Sequence, residues 1–150
     1  MTTAISKLVF LIMVVTPAQQ REAEILIDSV RSFGGEFRQA PVYVVLSNPS
    51  SAPCRNLQTK GVQLLALEMN EAHRPYPFAD KVYACSQMER LLAQKTETIV
   101  WLNPDVLVLN PISEAALKPN HGAAVRPLHP GTPMPFMPAI PDRTTARGPA

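Results

Sequence analysis

Asn103 and Asp105 carry two oxygen-bearing side chains two residues apart, within the segment IVWLNPDVLVLNP at residues 99–111. An apolar run ends just before Asn103, and a second apolar run resumes just after Asp105. Amide and carboxylate oxygens suit a hard divalent cation such as Mn²⁺ or Mg²⁺, and such a cation could neutralise a diphosphate. Asn, Pro and Asp are also favoured in turns. From the residues alone, a metal site and a plain turn between two strands both remain open.

Other kinds of chemistry find less support in the residue types and their spacing. The stretch Thr16-Pro17-Ala18 has side chains where a phosphate-binding loop needs glycine, so a dinucleotide or P-loop site is excluded. Lys and Arg are scattered singly, the net charge is +2, and nucleic-acid binding is not expected. Cys54 and Cys85 lack metal-ligand spacing, which favours a reducing compartment over a disulfide framework, and Cys85 is expected to be a buried thiol.

The apolar run LVFLIMVV at residues 8–15 is interpreted as a buried first strand. It is far shorter than the roughly 20 residues that span a bilayer, so no transmembrane segment is predicted. The alternative is a secretory signal with Lys7 as its positive charge. We therefore expect a cytoplasmic protein, or a secreted or Golgi-lumenal one if the first 20 residues act as a signal.

A helix is predicted directly after this strand. Thr16 can cap it, Pro17 suits the first helical position, and Gln19 can complete a capping box. Apolar residues then recur at helical spacing until Gly34-Gly35, which predicts a left-handed stop.

Further strands are predicted from short apolar runs at residues 42–46, 62–67 and 98–102, and a second long helix from the pattern at residues 79–94. Residues 50–60 are predicted to be a loop, Ser113 to cap a short helix ending at Leu117, and residues 123–126 to form a last strand. Continuous apolar strands separated by amphipathic helices predict a three-layer α/β sandwich with a mostly parallel sheet. Ligands of such sheets bind at the carboxyl ends of the strands, which here carry Thr16-Pro17, Ser47-Asn48 and Asn103-Pro104-Asp105.

Residues 81–111, KVYACSQMERLLAQKTETIVWLNPDVLVLNP, resemble the helix, strand and DxD region of the GT-A nucleotide-diphospho-sugar glycosyltransferases. The segment is most similar to the family-8 pattern vlwLDxDtlvlnpi. The resemblance covers residues 8–126 and is specific only at residues 101–111. It implies a protein that binds a nucleotide-diphosphate sugar through Mn²⁺ or Mg²⁺ and transfers the sugar to an unknown acceptor.

The same resemblance implies roles for four residues. Asp105 would be the second acid of the DxD motif and would bind the cation, while Asn103 stands where the family has the first acid. An amide oxygen can still ligate the cation, but the lost charge is expected to lower its affinity. Thr16 would line the nucleotide-base pocket. Lys81 could reach the diphosphate as a point charge, or could be a solvated residue at a helix edge.

Four nearby residues are given other interpretations. Asp80 is interpreted as a helix cap and Trp101 as a core residue. The third metal ligand of the family, a histidine, is not matched to His73, His121 or His129.

Seven of the 16 prolines follow Arg126, so residues 1–126 are predicted to form the nucleotide-sugar-binding region and residues 127–150 a proline-rich, disordered tail. The tail could instead be a proline-rich ligand for a partner. Since GT-A enzymes have a second half that carries the acceptor site, the chain is interpreted as apparently truncated or divergent. The alternative function is a non-catalytic relic or interaction module that keeps the sheet without turnover.

Overall fold

Four parallel strands form the centre of the computed structural model, which describes residues 6–47 and 55–112. The strand order is β3-β2-β1-β4. The strands are β1 (Ser6–Val14), β2 (Val42–Leu46), β3 (Gln63–Ala66) and β4 (Thr96–Leu102). The helices are α1 (Pro17–Phe33), α2 (Arg55–Thr59) and α3 (Ala79–Leu92), with short 3₁₀ turns at Gly35–Gln39 and Glu71–His73.

β1 lies inside the sheet because its neighbours pair with it on both sides. Its side chains alternate between the two faces, as in any strand. One set packs with α1 and α2, and the other packs with α3. Phe10, Leu11 and Ile12 are fully buried. The predicted buried strand and the predicted three-layer α/β arrangement are therefore confirmed.

The start of α1 has the predicted capping box in full. Thr16 Oγ1 accepts the Gln19 N–H at 3.2 Å, and Gln19 Oε1 accepts the Thr16 N–H at 3.3 Å. At the other end only Gly35 is left-handed, with φ +63°, whereas Gly34 has helical angles. Gly34 is required for space, because a Cβ there would lie 2.4 Å from the Val30 carbonyl oxygen.

Two other elements differ from the sequence prediction. The short helix α2 lies within the predicted loop at residues 50–60, and its Leu57 is fully buried. The surrounding residues are polar, so a single buried anchor leaves no periodic pattern to detect. α3 ends at Leu92 rather than Gln94, because Gln94 adopts a left-handed conformation with φ +64°.

The apolar run after β4 does not form a strand. Residues 106–112 instead pack against the α1 side of the sheet, with Val106, Val108 and Ile112 partly buried. The Ser29 hydroxyl of α1 accepts the Val108 N–H at 3.0 Å and donates to the Leu26 carbonyl at 2.7 Å. After Asp105 the chain therefore leaves the line of β4 and runs along the α1 side of the sheet.

The predicted helix at residues 113–117, the predicted strand at residues 123–126 and the predicted tail from residue 127 lie outside the described residues. Within the ranges 6–47 and 55–112, no helix combines the length and the apolar character that crossing a membrane requires.

Candidate functional site

The carboxyl ends of the four strands meet at one edge of the sheet. Val14 lies opposite Leu46, Leu46 lies opposite Ala66, and Ile12 lies opposite Leu102. Residues that follow these strands are therefore brought to the same edge, as the sequence predicted for Thr16, Ser47 and Asn103. We call this the carboxyl edge.

Asn103, Pro104, Asp105 and Val106 form a turn at the end of β4. The Asn103 carbonyl accepts the Val106 N–H at 3.3 Å. Asp105 has no positive φ, so the turn is not of type II. Its carboxylate is exposed, and within the described ranges no side chain engages it. The segment is therefore a turn, but not the predicted turn between two strands, because no strand follows it up to residue 112. The turn leaves one carboxylate open to solvent at the carboxyl edge.

Trp101 fixes the orientation of the Asn103 side chain. Its indole N–H donates to Asn103 Oδ1 at 2.9 Å. The two residues are two apart, and residues at that spacing in a strand lie on the same face. Trp101 is only partly buried, against the α3 side of the sheet, so its interpretation as a core residue was incomplete. A carbonyl oxygen has two lone pairs, so Asn103 Oδ1 keeps capacity for a second partner.

Lys81 lies beside the same tryptophan. It is in the first turn of α3, and it lines an open groove of about 520 Å³ between α3 and β4. Trp101 forms part of the wall of this groove, together with Val82, Cys85, Ser86 and Glu89. Trp101 therefore lines a groove with Lys81 and also donates a hydrogen bond to Asn103, although Lys81 and Asn103 are 22 residues apart in the sequence.

Cys85 is exposed on the wall of this groove, so the expectation of a buried thiol was wrong. The side of α3 that it occupies faces the groove rather than the sheet. Partial burial and the nearby Glu89 carboxylate both raise the pKa of the thiol. At neutral pH the group is therefore a protonated thiol, and it is a poor nucleophile.

Thr16 reaches the carboxyl edge, but its hydroxyl is already used by the helix. It accepts the Gln19 N–H, while the Gln19 side chain accepts the backbone N–H of Val15 at 2.8 Å. No contact among the described residues joins Thr16 to Lys81, Asn103 or Asp105. Of the sequence-predicted site residues, Lys81 and Asn103 are thus associated with Trp101, and Asp105 lies in the adjoining turn. Thr16 lies apart from them on the same edge.

The segment that joins β3 to α3 also lies at the carboxyl edge, and sequence reasoning assigned it no function. His73 Nδ1 forms a short hydrogen bond with the Tyr83 hydroxyl, and Arg74 pairs with both carboxylate oxygens of Glu71. Tyr76 packs edge-on against the His73 ring, with the ring centroids 6.4 Å apart. These contacts join residues that are up to ten positions apart, so no local sequence pattern predicts them.

The start of α3 differs from the prediction. Phe78, not Asp80, is the residue that precedes the helix, and its side chain provides no cap. Asp80 lies inside the first turn, where its carboxylate accepts the Lys81 N–H at 2.8 Å. Asp80 therefore satisfies one free amide of the helix from within the first turn rather than from the position before it.

Metal-binding groups are sparse in this region. Among residues 6–47 and 55–112, no three His, Cys, Asp or Glu side chains are grouped so that they could hold a metal ion. The oxygen atoms of Asn103 and Asp105 are the two potential ligands that the sequence predicted, and both side chains are exposed at the carboxyl edge.

The comparison with protein families identifies a match over most of the chain. The family model described as Rhodobacterales glycosyltransferase domain matches residues 10–133. The matched range includes Thr16, Lys81, Trp101, Asn103 and Asp105. No curated protein gives a significant match to the chain.

Proposed function

This chain belongs to the Rhodobacterales glycosyltransferase domain family, and we propose that it binds a nucleotide-diphosphate sugar at the carboxyl edge and transfers the sugar to an acceptor. In that reaction the bond from the sugar to the diphosphate breaks, a bond to an acceptor hydroxyl forms, and the hydroxyl loses its proton. A glycosyltransferase domain requires both a sugar donor and an acceptor.

The observation that carries the proposal is the group formed by Lys81, Trp101 and Asn103, with Asp105 in the adjoining turn. The group combines a cation, an oriented amide oxygen and a free carboxylate at the end of a parallel strand. Ligands of open parallel sheets bind at this edge. A diphosphate needs positive charge around it, which Lys81 and a divalent cation would supply.

The two oxygen ligands, Asn103 and Asp105, suit a metal ion that binds together with its substrate. Asp105 supplies one carboxylate, and Asn103 supplies a neutral amide oxygen that already accepts the indole N–H. Mg²⁺ is usually held by one or two carboxylates together with substrate phosphates and water. Asn103 and Asp105 would hold the cation, which when bound neutralises charge on the leaving diphosphate. With a single carboxylate, we expect the cation to bind weakly until the diphosphate is present.

Lys81 is suited to contact the diphosphate. Its Nζ lies 5.7 Å from the centroid of the Phe78 ring, a contact of about 0.5–1 kcal/mol at an exposed site. This contact is weak enough for a doubly charged group to displace. Lys81 also lines the groove that Trp101 lines.

Thr16 would border the nucleotide base by its position rather than through its hydroxyl. The hydroxyl is committed to the first turn of α1, so it would have to leave the capping box to bind a ligand. The cap fixes the path of the chain as it leaves β1. The wall of a base pocket can therefore be held in place without a polar contact from this side chain.

The test is thermal unfolding of the full chain with MnCl₂ and a panel of uridine-diphosphate sugars. A ligand at one hundred times its Kd stabilises a protein by about 2.7 kcal/mol, which raises the melting temperature by several degrees. We expect this increase for the wild type and its loss in Asp105→Asn. The matched control is Glu97→Gln, which removes one exposed carboxylate at the other end of β4 and should keep the increase.

If no nucleotide sugar changes the melting temperature of the wild type, the proposal is wrong. It is also wrong if Asp105→Asn and Glu97→Gln respond alike, because the effect would then arise from general charge rather than from this site.

A second candidate, a domain that binds the donor without turnover, is favoured by the neutral Asn103 side chain. Its oxygen is hydrogen-bonded to Trp101, and it contributes no charge to a cation. Release of uridine diphosphate from the sugar donor by the purified chain, in the presence of Mn²⁺, distinguishes the two candidates. Release that is lost in Asp105→Asn supports the transferase, and donor binding without release supports the non-catalytic domain.

A further inference from the structure

Two aromatic side chains of the segment between β3 and α3 are exposed to solvent. Tyr76 is 67% exposed and Phe78 is 70% exposed. Large apolar groups that cluster at one exposed place usually mark a binding surface. We call these two residues the aromatic platform.

The platform lies beside the proposed donor site. The chain leaves β3 at the carboxyl edge and enters α3 at the same edge, so Tyr76 and Phe78 are both at the ligand-binding end of the sheet. Lys81 lies against the Phe78 ring and also lines the groove beside Trp101. The platform is therefore continuous with the residues that would bind the diphosphate.

The backbone that carries the platform makes several hydrogen bonds of its own. Asn70 Oδ1 accepts the Ala72 N–H at 2.9 Å, the Tyr76 N–H donates to the His73 carbonyl at 3.0 Å, and the Ala79 N–H donates to the Tyr76 carbonyl at 3.2 Å. The hydrogen bond between His73 and Tyr83 joins this segment to α3. These hydrogen bonds hold the backbone from which the two aromatic rings project.

Phe78 adopts a left-handed backbone conformation, with φ +64°. A bulky residue rarely occupies this region, because its Cβ comes too close to the backbone. Such strain persists where the surroundings enforce it, and it clusters at ligand-binding positions. Glycine would relieve the strain, but it would also remove the exposed ring.

We propose that the aromatic platform binds the sugar ring of the acceptor, which stacks one face of its C–H groups on Phe78 and Tyr76. This inference rests on the proposed function, since only a glycosyltransferase requires an acceptor at this edge. The negative face of an aromatic ring attracts weakly positive C–H groups. The His73 ring packs against Tyr76, and its second ring nitrogen, which Tyr83 does not engage, can bind a hydroxyl group at the rim of a sugar.

The charges of this segment argue against other partners. Between residues 70 and 83, Glu71 and Asp80 balance Arg74 and Lys81, so the formal net charge is zero. Anionic membranes and nucleic acids both bind surfaces that carry clusters of basic residues, and this segment has no net positive charge. A neutral aromatic surface with polar side chains at its margin suits a neutral carbohydrate.

The experiment is saturation-transfer NMR with the full chain and methyl glycosides of glucose, galactose, mannose and N-acetylglucosamine. We expect transfer to the ring protons of at least one glycoside, and about three- to tenfold weaker binding in Phe78→Ala. Phe78→Trp should restore binding. The matched control is Phe33→Ala, which removes a ring that is 50% exposed at the far end of α1 and should leave binding unchanged.

Three results would overturn the inference. The first is a wild type that binds none of the glycosides, and the second is equal loss in Phe78→Ala and Phe33→Ala. The third is loss of uridine-diphosphate binding in Phe78→Ala, because the platform would then hold the donor base. A failed donor test with intact glycoside binding would contradict the proposed function and leave the platform as a sugar site.

Discussion

Helices α1 and α3 both begin at the carboxyl edge, but they begin in opposite ways. α1 starts with a complete capping box at Thr16, so its first amides are satisfied by its own side chains. α3 starts at Phe78, which has a strained backbone and no capping side chain, and its first turn carries Lys81. We interpret the start of α1 as a stabilising element, whereas under our proposal the start of α3 presents side chains to a ligand.

The remaining lengths of the two helices continue this difference. α1 buries one whole face against the sheet and the segment 106–112. α3 buries only Ala84, Met88 and Leu92, while its other side lines the groove beside Trp101. Substitutions on α1 should therefore alter mainly the free energy of unfolding, and substitutions at the exposed start of α3 should alter mainly binding.

The largest effect is expected in the core under α1. Leu26 is fully buried, so Leu26→Ala should lower the free energy of unfolding by about 2–5 kcal/mol. The matched change on α3 is Val82→Ala, where the side chain is 65% exposed and the loss should stay within about 0.5 kcal/mol. Urea unfolding followed by circular dichroism measures both. Similar losses would contradict the division between the two helices.

A smaller effect is expected at the cap of α1. Thr16→Ala removes the acceptor of the Gln19 N–H and should lower the free energy of unfolding by about 1 kcal/mol. Thr16→Ser keeps the hydroxyl and serves as the control. If Thr16→Ala abolished nucleotide binding without a loss of stability, Thr16 would be a binding residue rather than part of the scaffold.

A substitution at the start of α3 should raise the free energy of unfolding, whereas the substitutions on α1 lower it. Phe78→Gly removes the strain of φ +64° and should raise the free energy of unfolding by about 0.5–1 kcal/mol, while glycoside binding falls. Phe33→Gly places glycine within the last turn of α1 and should lower the free energy of unfolding by about 1 kcal/mol. Loss of stability in both variants would show that the backbone at Phe78 is not strained.

The smallest effect concerns pH. The hydrogen bond from Arg74 lowers the pKa of Glu71 below its usual value of 4.5. The pair therefore contributes its stability above that value, and the contribution is lost as the pH falls through the lowered pKa. Because both groups are exposed, we expect only a small difference in melting temperature between wild type and Glu71→Gln. That difference should be present at neutral pH and absent in strong acid, and a difference independent of pH would contradict the assignment.

Much of the scaffold could be predicted because its signals are local. The capping box is complete within Thr16 to Gln19, and the turn at residues 103–106 is predicted by the consecutive residues Asn-Pro-Asp. β1 follows from one continuous apolar run. In each case, neighbouring residues contain all of the information.

The site could be predicted only in part, because its contacts cross the fold. Lys81 and Trp101 line one groove only after α3 has packed beside β4. Leu57 is buried within a polar stretch, and the left-handed Phe78 has no sequence signal. The spacing of Trp101 and Asn103 along one strand is the one clue that could have indicated their hydrogen bond.

The most direct test follows the indole N–H signal of Trp101, the only tryptophan in the chain. Its nitrogen lies 2.9 Å from Asn103 Oδ1, so a paramagnetic Mn²⁺ ion held by Asn103 and Asp105 must broaden this NMR resonance. We predict that Mn²⁺ with uridine-diphosphate glucose broadens the signal in the wild type and in Glu97→Gln, but not in Asp105→Asn. An indole signal that stays sharp, while signals from the opposite edge of the sheet broaden, would contradict the location of the donor site.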